Sequence, residues 1–217
     1  MSVGSGGEGR SEPIFPDTDP IQELEGVGRI DREVLYDGRV VHLSLDSVRF
    51  PGGSRGTLEL VSHAGAAAVL PFLDPPTSPD PRIVLVHQYR YAAGGVLWEV
   101  PAGVPDSASE SWIDCARREL KEETGFAAGD LRYLTRIFTT PGFTDEVIQL
   151  FAAGDLTIGT TERDEDEFLE VVEMPFSRAL DGVREGRIVD GKSVAILLFA
   201  SSFLDEVWSE RRPPPRR

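Results

Sequence analysis

The ten residues Arg117-Arg118-Glu119-Leu120-Lys121-Glu122-Glu123-Thr124-Gly125-Phe126 place three carboxylates within five positions and then a glycine. Just before them, Trp112, Cys115, Ala116 and Leu120 recur at steps of three and four. That period predicts an amphipathic helix between Glu110 and Thr124, with Gly125 as its C-terminal stop. On such a helix Glu119 and Glu123 share a face, Glu122 stands beside them, and Arg118 lies four before Glu122, close enough to brace it. Repulsion at this spacing costs only about 0.2–0.5 kcal/mol, so a plain solvated acidic face is one reading. The position argues for another, because the helix dipole disfavours negative charge at a C-terminus and calls for a compensating cation. A hard divalent ion such as Mg²⁺ takes oxygen ligands and is shared between one or two carboxylates and a substrate phosphate.

The charge balance narrows the ligand. With 22 basic against 37 acidic residues the formal net charge is −15, which repels a polyanion and excludes a nucleic-acid-coating role. A small phosphorylated molecule remains compatible where cations mediate its binding. The single cysteine, Cys115, leaves no internal disulfide framework, and the opening MSVGSGGEGRSEP lacks the basic-then-apolar order of a secretory signal. No apolar run approaches the roughly 18 residues of a membrane span. The expected location is cytoplasmic, with no membrane partner.

At 217 residues the chain suits one main domain with a small appendage. Residues 1–25, rich in Gly, Ser, Pro and acids, read as an unpacked tail, as does the Pro/Arg end at 208–217. Residues 26–64 alternate short β-rich runs with the turn signals YDGR and PGGS, predicting a small antiparallel β domain. Residues 65–207 form the main domain. Strands are expected at AGAAAVLPFL, RIVLVHQYRY, GGVLWEVPAG, LRYLTRIFTT and EVIQLFAAGDL, then a strand and helix in EVVEMPFSRALDGVREG and a last helix in SVAILLFASSFLDEVW.

The segment Gly103 to Phe126 resembles the Nudix box: a glycine, a spaced glutamate, then Arg-Glu-apolar-x-Glu-Glu-x-Gly-apolar. Arg118 to Phe126 fits without a gap and Glu110 stands eight before Arg118, although six residues instead of five separate Gly103 from Glu110. VHQYRY, LWEVPAG, TTPGFTDE, DEDEFLEVVEM and GRIVDGKSVAILL extend the likeness to the ADP-ribose pyrophosphatase branch of that family. The resemblance implies an α/β fold, a three-layer α/β/α sandwich with a mixed sheet, in which the small β domain is exchanged between subunits of a homodimer. It implies two or three Mg²⁺ per active site, with Mn²⁺ as an alternative. The ligands would be Glu119, Glu122, Glu123, Glu146 and the carbonyl of Ala102, with Glu110 and Arg118 orienting the acids.

The implied activity is hydrolysis of ADP-ribose to AMP and ribose 5-phosphate, with Glu122 and Arg118 in the catalytic set and Glu146, on a loop after a Pro-Gly turn, acting on the attacking water. Arg90, Glu99, Arg55 and Phe143 are the substrate-side candidates. Should Glu146 only bind, the base falls to Glu122, Asp145 or the run Asp164, Glu165, Asp166, Glu167. Where the branch reads Arg-Glu before its V-x-H-x-G segment, this chain has Leu58-Glu59, which keeps nucleotide sugars such as ADP-glucose or GDP-mannose as alternative substrates. A non-catalytic nucleotide sensor on the same fold is the rival of a different class.

Overall fold

The computed structural model describes residues 21, 23–159, 169–210 and 214. Most of both expected tails, and the acidic run Asp164 to Glu167, lie outside the described residues. Strands β1 (Gly28–Asp37), β2 (His42–Arg49) and β3 (Arg55–Ser62) form an antiparallel sheet in that order. Its β2–β3 turn uses Gly52 and Gly53 at φ of 90° and 89°, a region that favours glycine. Arg32 on β1 holds Asp46 on β2 through hydrogen bonds of 2.7 and 2.6 Å.

The main body begins with β4 (Ala66–Pro71), all six residues of which are buried. β4 sits inside a four-stranded mixed sheet with β7 (Ala102–Gly103), β9 (Val147–Ile158) and β8 (Phe126–Phe138), in the order β7-β4-β9-β8. It runs parallel to β9 and antiparallel to β7, while β8 and β9 pair antiparallel. Alternate side chains explain the complete burial. Ala67 and Val69 point to helix α1 (Trp112–Thr124) and pack with Cys115, Ala116 and Leu120; Ala66, Ala68 and Leu70 join Leu85, Ile196, Leu197 and Leu204 on the other side.

That other side carries a second, antiparallel sheet in the order β10-β5-β6, of β10 (Leu169–Pro175), β5 (Arg82–Arg90) and β6 (Gly95–Glu99). Helices α2 (Phe176–Arg184) and α3 (Gly191–Ser209) complete it. The α/β architecture, mixed sheet between helices with an antiparallel β unit ahead, is the one expected. Two local features differ. Helix α1 starts at Trp112 because Ser111 caps it, its hydroxyl accepting from the Asp114 amide at 3.2 Å, so Glu110 lies before the helix and not on it. The two-residue strand β7 carries too little pattern to be read from sequence. No helix among the described residues is long and apolar enough to cross a membrane.

Candidate active site

Helix α1 ends as its sequence dictates: Gly125 takes the left-handed conformation at φ 76° and its amide donates to the Lys121 carbonyl at 2.8 Å. The last turn is thereby fixed against the sheet with Glu119 and Glu123 buried, at 7% and 2% exposure, and Glu122 nearer solvent. Two buried carboxylates four residues apart need compensation. Arg118 supplies part of it: Nη1 donates to Glu119 at 2.8 Å and to Glu122 at 2.9 Å, while Nε and Nη2 hold Glu110 at 3.0 and 3.1 Å. Nη2 also donates to the Val104 carbonyl at 3.0 Å, tying helix to loop. These anions, Glu110 foremost, raise the Arg118 pKa further above its ordinary value.

Strand β7 closes over the same helix face. The Ala102 amide donates to Glu123 at 3.2 Å, and a Cβ added to Gly103 would stand 2.1 Å from the Glu119 carboxyl. The chain passes so close to Glu119 that only glycine fits without displacement. Behind it, Cys115 is buried, and burial pushes its thiol up to about 12.

Across from the helix, the loop between β8 and β9 presents Glu146. Thr139 donates from its hydroxyl to one Glu146 carboxylate oxygen at 2.9 Å, and His63 Nδ1 lies 3.3 Å from the other. His63, the histidine of the V-x-H-x-G segment, thus adjoins the carboxylate.

The floor between them is a charged network. Arg90, last residue of β5, donates to both oxygens of Glu99 at 2.9 and 2.8 Å, and Lys192 Nζ donates to Glu99 at 2.5 Å and to Asp190 at 3.0 Å. Asp190 also caps α3, accepting from the Ser193 amide at 3.0 Å. Burial alone would raise the Glu99 pKa, but Arg90 and Lys192 outweigh it and hold the carboxyl below its ordinary value.

One cleft of about 940 Å³ collects Glu119, Glu123, Ala102, Glu146, Arg90 and Lys192 on its walls. Arg118 and Glu122 line an adjoining cleft of about 700 Å³ that shares Glu119 and His63 with the first. Glu99 lies beneath the cleft, 1% exposed. Phe143 is half exposed on the Glu146 loop, its carbonyl accepting from the Val61 amide at 2.8 Å. Arg55 is not brought to the cleft of its own chain. It begins β3, opposite Arg49, and lies about 23 Å along the strand from Ser62 at the site end. Lys192 was missed; the only sequence signal for it is an acid-glycine-lysine step opening an apolar helix.

No group of three or more His, Cys, Asp or Glu side chains among the described residues stands gathered as a metal site. The donor set nonetheless suits a hard ion: the buried carboxylates Glu119 and Glu123 face the cleft beside the Ala102 backbone, oxygen ligands of the kind Mg²⁺ takes.

Comparison with known proteins identifies the family. Residues 63–194 match the NUDIX domain, and the chain belongs to that family. It is 36% identical over 167 residues to the methanol dehydrogenase activator of Bacillus methanolicus, covering 76% of this chain and 87% of that one. It is likewise 36% identical over 193 residues to the ADP-ribose pyrophosphatase of Mycobacterium tuberculosis (84% and 91% covered), and 37% identical over 131 residues to the GDP-mannose pyrophosphatase of Yersinia enterocolitica (56% and 68%). The crystal structure of an ADP compounds hydrolase superposes with a TM-score of 0.71 over 86% of this chain and 98% of that one; at 23% identity this likeness concerns the fold.

Proposed function

We propose that the protein is a Mg²⁺-dependent pyrophosphatase that hydrolyses ADP-ribose to AMP and ribose 5-phosphate. The observation that carries the reading is the single cleft with buried carboxylates Glu119 and Glu123 on one wall, Glu146 on another and the cations Arg90 and Lys192 below. Glu119, Glu123, the Ala102 carbonyl and, at the rim, Glu122 would hold the metal, with Mn²⁺ as a substitute. When bound, two or three such ions would neutralise the pyrophosphate and make a bound water more acidic.

The chain's own groups do the rest. Arg118 and Glu110 keep the helix carboxylates in place through the ion pairs described above. Glu146 orients the attacking water and takes its proton as oxygen bonds to phosphorus and the bridging P–O bond breaks. Arg90 and Lys192 face the substrate's anionic side and Glu99 holds both cations. Phe143 stands at the loop edge, where it can contact the substrate.

Relatives of both kinds support a nucleoside diphosphate linked to a second moiety, and the likeness to the ADP-ribose pyrophosphatase covers more of this chain. Leu58, where the branch carries arginine, favours a nucleotide sugar as second reading. Phosphate-coupled rates over ADP-ribose, ADP-glucose, GDP-mannose and a dinucleoside polyphosphate decide between them. ADP-ribose is expected to give the highest kcat/KM; a nucleotide sugar exceeding it tenfold would transfer the assignment, and no turnover of any would leave the sensor reading.

A homodimer is part of this proposal. Val34 and Leu58 are about half exposed or more on one face of the N-terminal sheet and Tyr36 on the other, apolar side chains that a second copy would cover. In that assembly Arg55 could reach the partner's cleft. Light scattering at micromolar concentration should give twice the 23.8 kDa of one chain.

A further inference from the structure

The loop bearing Glu146 is closed between β8 and β9 by the Thr139 amide, which donates to the Glu146 carbonyl at 3.2 Å, and is tied as well to the N-terminal sheet. Asp145, its immediate neighbour, accepts with both carboxylate oxygens from the end of β3: from the Ser62 hydroxyl at 3.0 Å and from the His63 amide at 2.8 Å. The backbone repeats the link. Asp145 N donates to the Val61 carbonyl at 3.3 Å, and Val61 and Thr144 form an isolated parallel bridge. The contact reaches a second strand of the sheet through charge, since Arg32 on β1, held by Asp46 on β2, feels Asp145 as well.

We propose that Asp145 is a positioning residue: by clasping the Glu146 loop to the last turn of β3 it makes the N-terminal sheet, and not the β8–β9 connection alone, the reference for where the Glu146 carboxylate stands. This rests on the reading of Glu146 as the group acting on water. One peptide unit separates the clasp from Glu146, whose carboxylate otherwise accepts from Thr139, while His63, at the same β3 end, lies beside it with Nδ1 accepting from the Gly65 amide. A carboxylate with two donors from one backbone turn resists displacement in two directions, which a single backbone bridge does not. Releasing it lets the loop drift by a fraction of an ångström to an ångström, the scale on which misplaced groups cost catalysis heavily. The role also gives the apolar N-terminal sheet a bearing on chemistry: whatever fixes that sheet fixes Glu146.

The test is steady-state hydrolysis of ADP-ribose at saturating Mg²⁺ by Asp145→Ala, Asp145→Asn and Ser62→Ala, each alone and combined with Glu146→Gln, with thermal unfolding measured alongside. Asp145→Ala should lower kcat by roughly 10- to 30-fold with KM changed less than about threefold. Asp145→Asn keeps an oxygen for the His63 amide and should recover most of the loss. Ser62→Ala, a milder cut that leaves the fold alone, should cost about threefold in kcat and serves if Asp145→Ala does not fold. In the Glu146→Gln background all three should be silent, since a clasp that acts through Glu146 has nothing left to position. Losses that multiply in that background, or unchanged kcat in Asp145→Ala (in Ser62→Ala where Asp145→Ala does not fold), would overturn the proposal while leaving Glu146 its role. Intact kcat in Glu146→Gln alone would instead remove the water-activating reading, and this one with it.

Discussion

Arg90 and Glu99, the last residues of adjacent antiparallel strands, are joined by a two-pronged ion pair of 2.9 and 2.8 Å, and the carboxylate in it is 1% exposed. The guanidinium spends Nε and Nη2 on that pair, so its remaining edge is held at a fixed angle at the cleft. A cation aimed in this way loses little freedom when it meets a phosphate.

Glu99→Gln removes the anion that balances both Arg90 and Lys192. Lys192 keeps Asp190 and the Arg90 side chain is 40% exposed, so the expected cost is about 1–2 kcal/mol of stability, read by urea denaturation at pH 7. The pH dependence follows from the direction of the shift. Glu99 titrates below its ordinary 4.5 in the folded chain, so its contribution is complete above that value and disappears as pH falls through the lower folded pKa. The variant should therefore show a flatter acid limb below about pH 4.5 than the parent chain, and parallel limbs would contradict the pairing.

Glu123→Gln preserves shape but removes charge from a side chain that is 2% exposed at the cleft wall. Hydrolysis should fall by about 10²-fold or more while the far-ultraviolet dichroism and melting profile change little. Near-normal turnover at saturating Mg²⁺ would count against metal binding at this carboxylate. Calorimetric titration with Mg²⁺ in the absence of substrate gives the same answer independently of activity.

Gly103→Ala places a methyl 2.1 Å from the Glu119 carboxyl, which Arg118 holds from the other side. The carboxylate must swing away. We expect a larger Mg²⁺ requirement, roughly tenfold in the half-saturating concentration, with a maximal rate that recovers in part as Mg²⁺ is raised. An unchanged requirement would mean that Glu119 has room to spare.

Cys115, buried and with its thiol pushed up to about 12, should not react with a disulfide reagent at pH 8 while the chain is folded. One equivalent should react after denaturation. Fast labelling of the native protein would show that the α1 face opens readily.

What the sequence discloses here follows the range of the interactions. Helix α1, its glycine stop and the facing of Glu119 and Glu123 are set by neighbours three and four positions away, so they could be read directly. The spacing puts Glu110 on the helix, yet the Ser111 cap, a contact of three residues, starts the helix after it. Lys192 and Glu99 lie 93 positions apart, and nothing local to either announces their pairing. Nor does a run of alternating residues reveal which end of β3 faces the cleft; that depends on register with β2 and on the bridge to Thr144, which keeps Arg55 away. The clasp by Asp145 joins positions 82 and 83 apart and was equally out of reach.

The one parallel pairing in the central sheet, β4 against β9, sets Ala66 beside Ile148, 82 positions later in the chain (148 − 66). Everything between, including α1 with its glutamates, is made before β9 can dock, and closing so long a loop is slow compared with forming a helix. Glu146 immediately precedes β9. During refolding the two halves of the proposed catalytic apparatus are therefore expected to come together only when β9 docks between β4 and β8. Recovery of helical signal should run ahead of recovery of turnover, with the delay set by closure of a single strand.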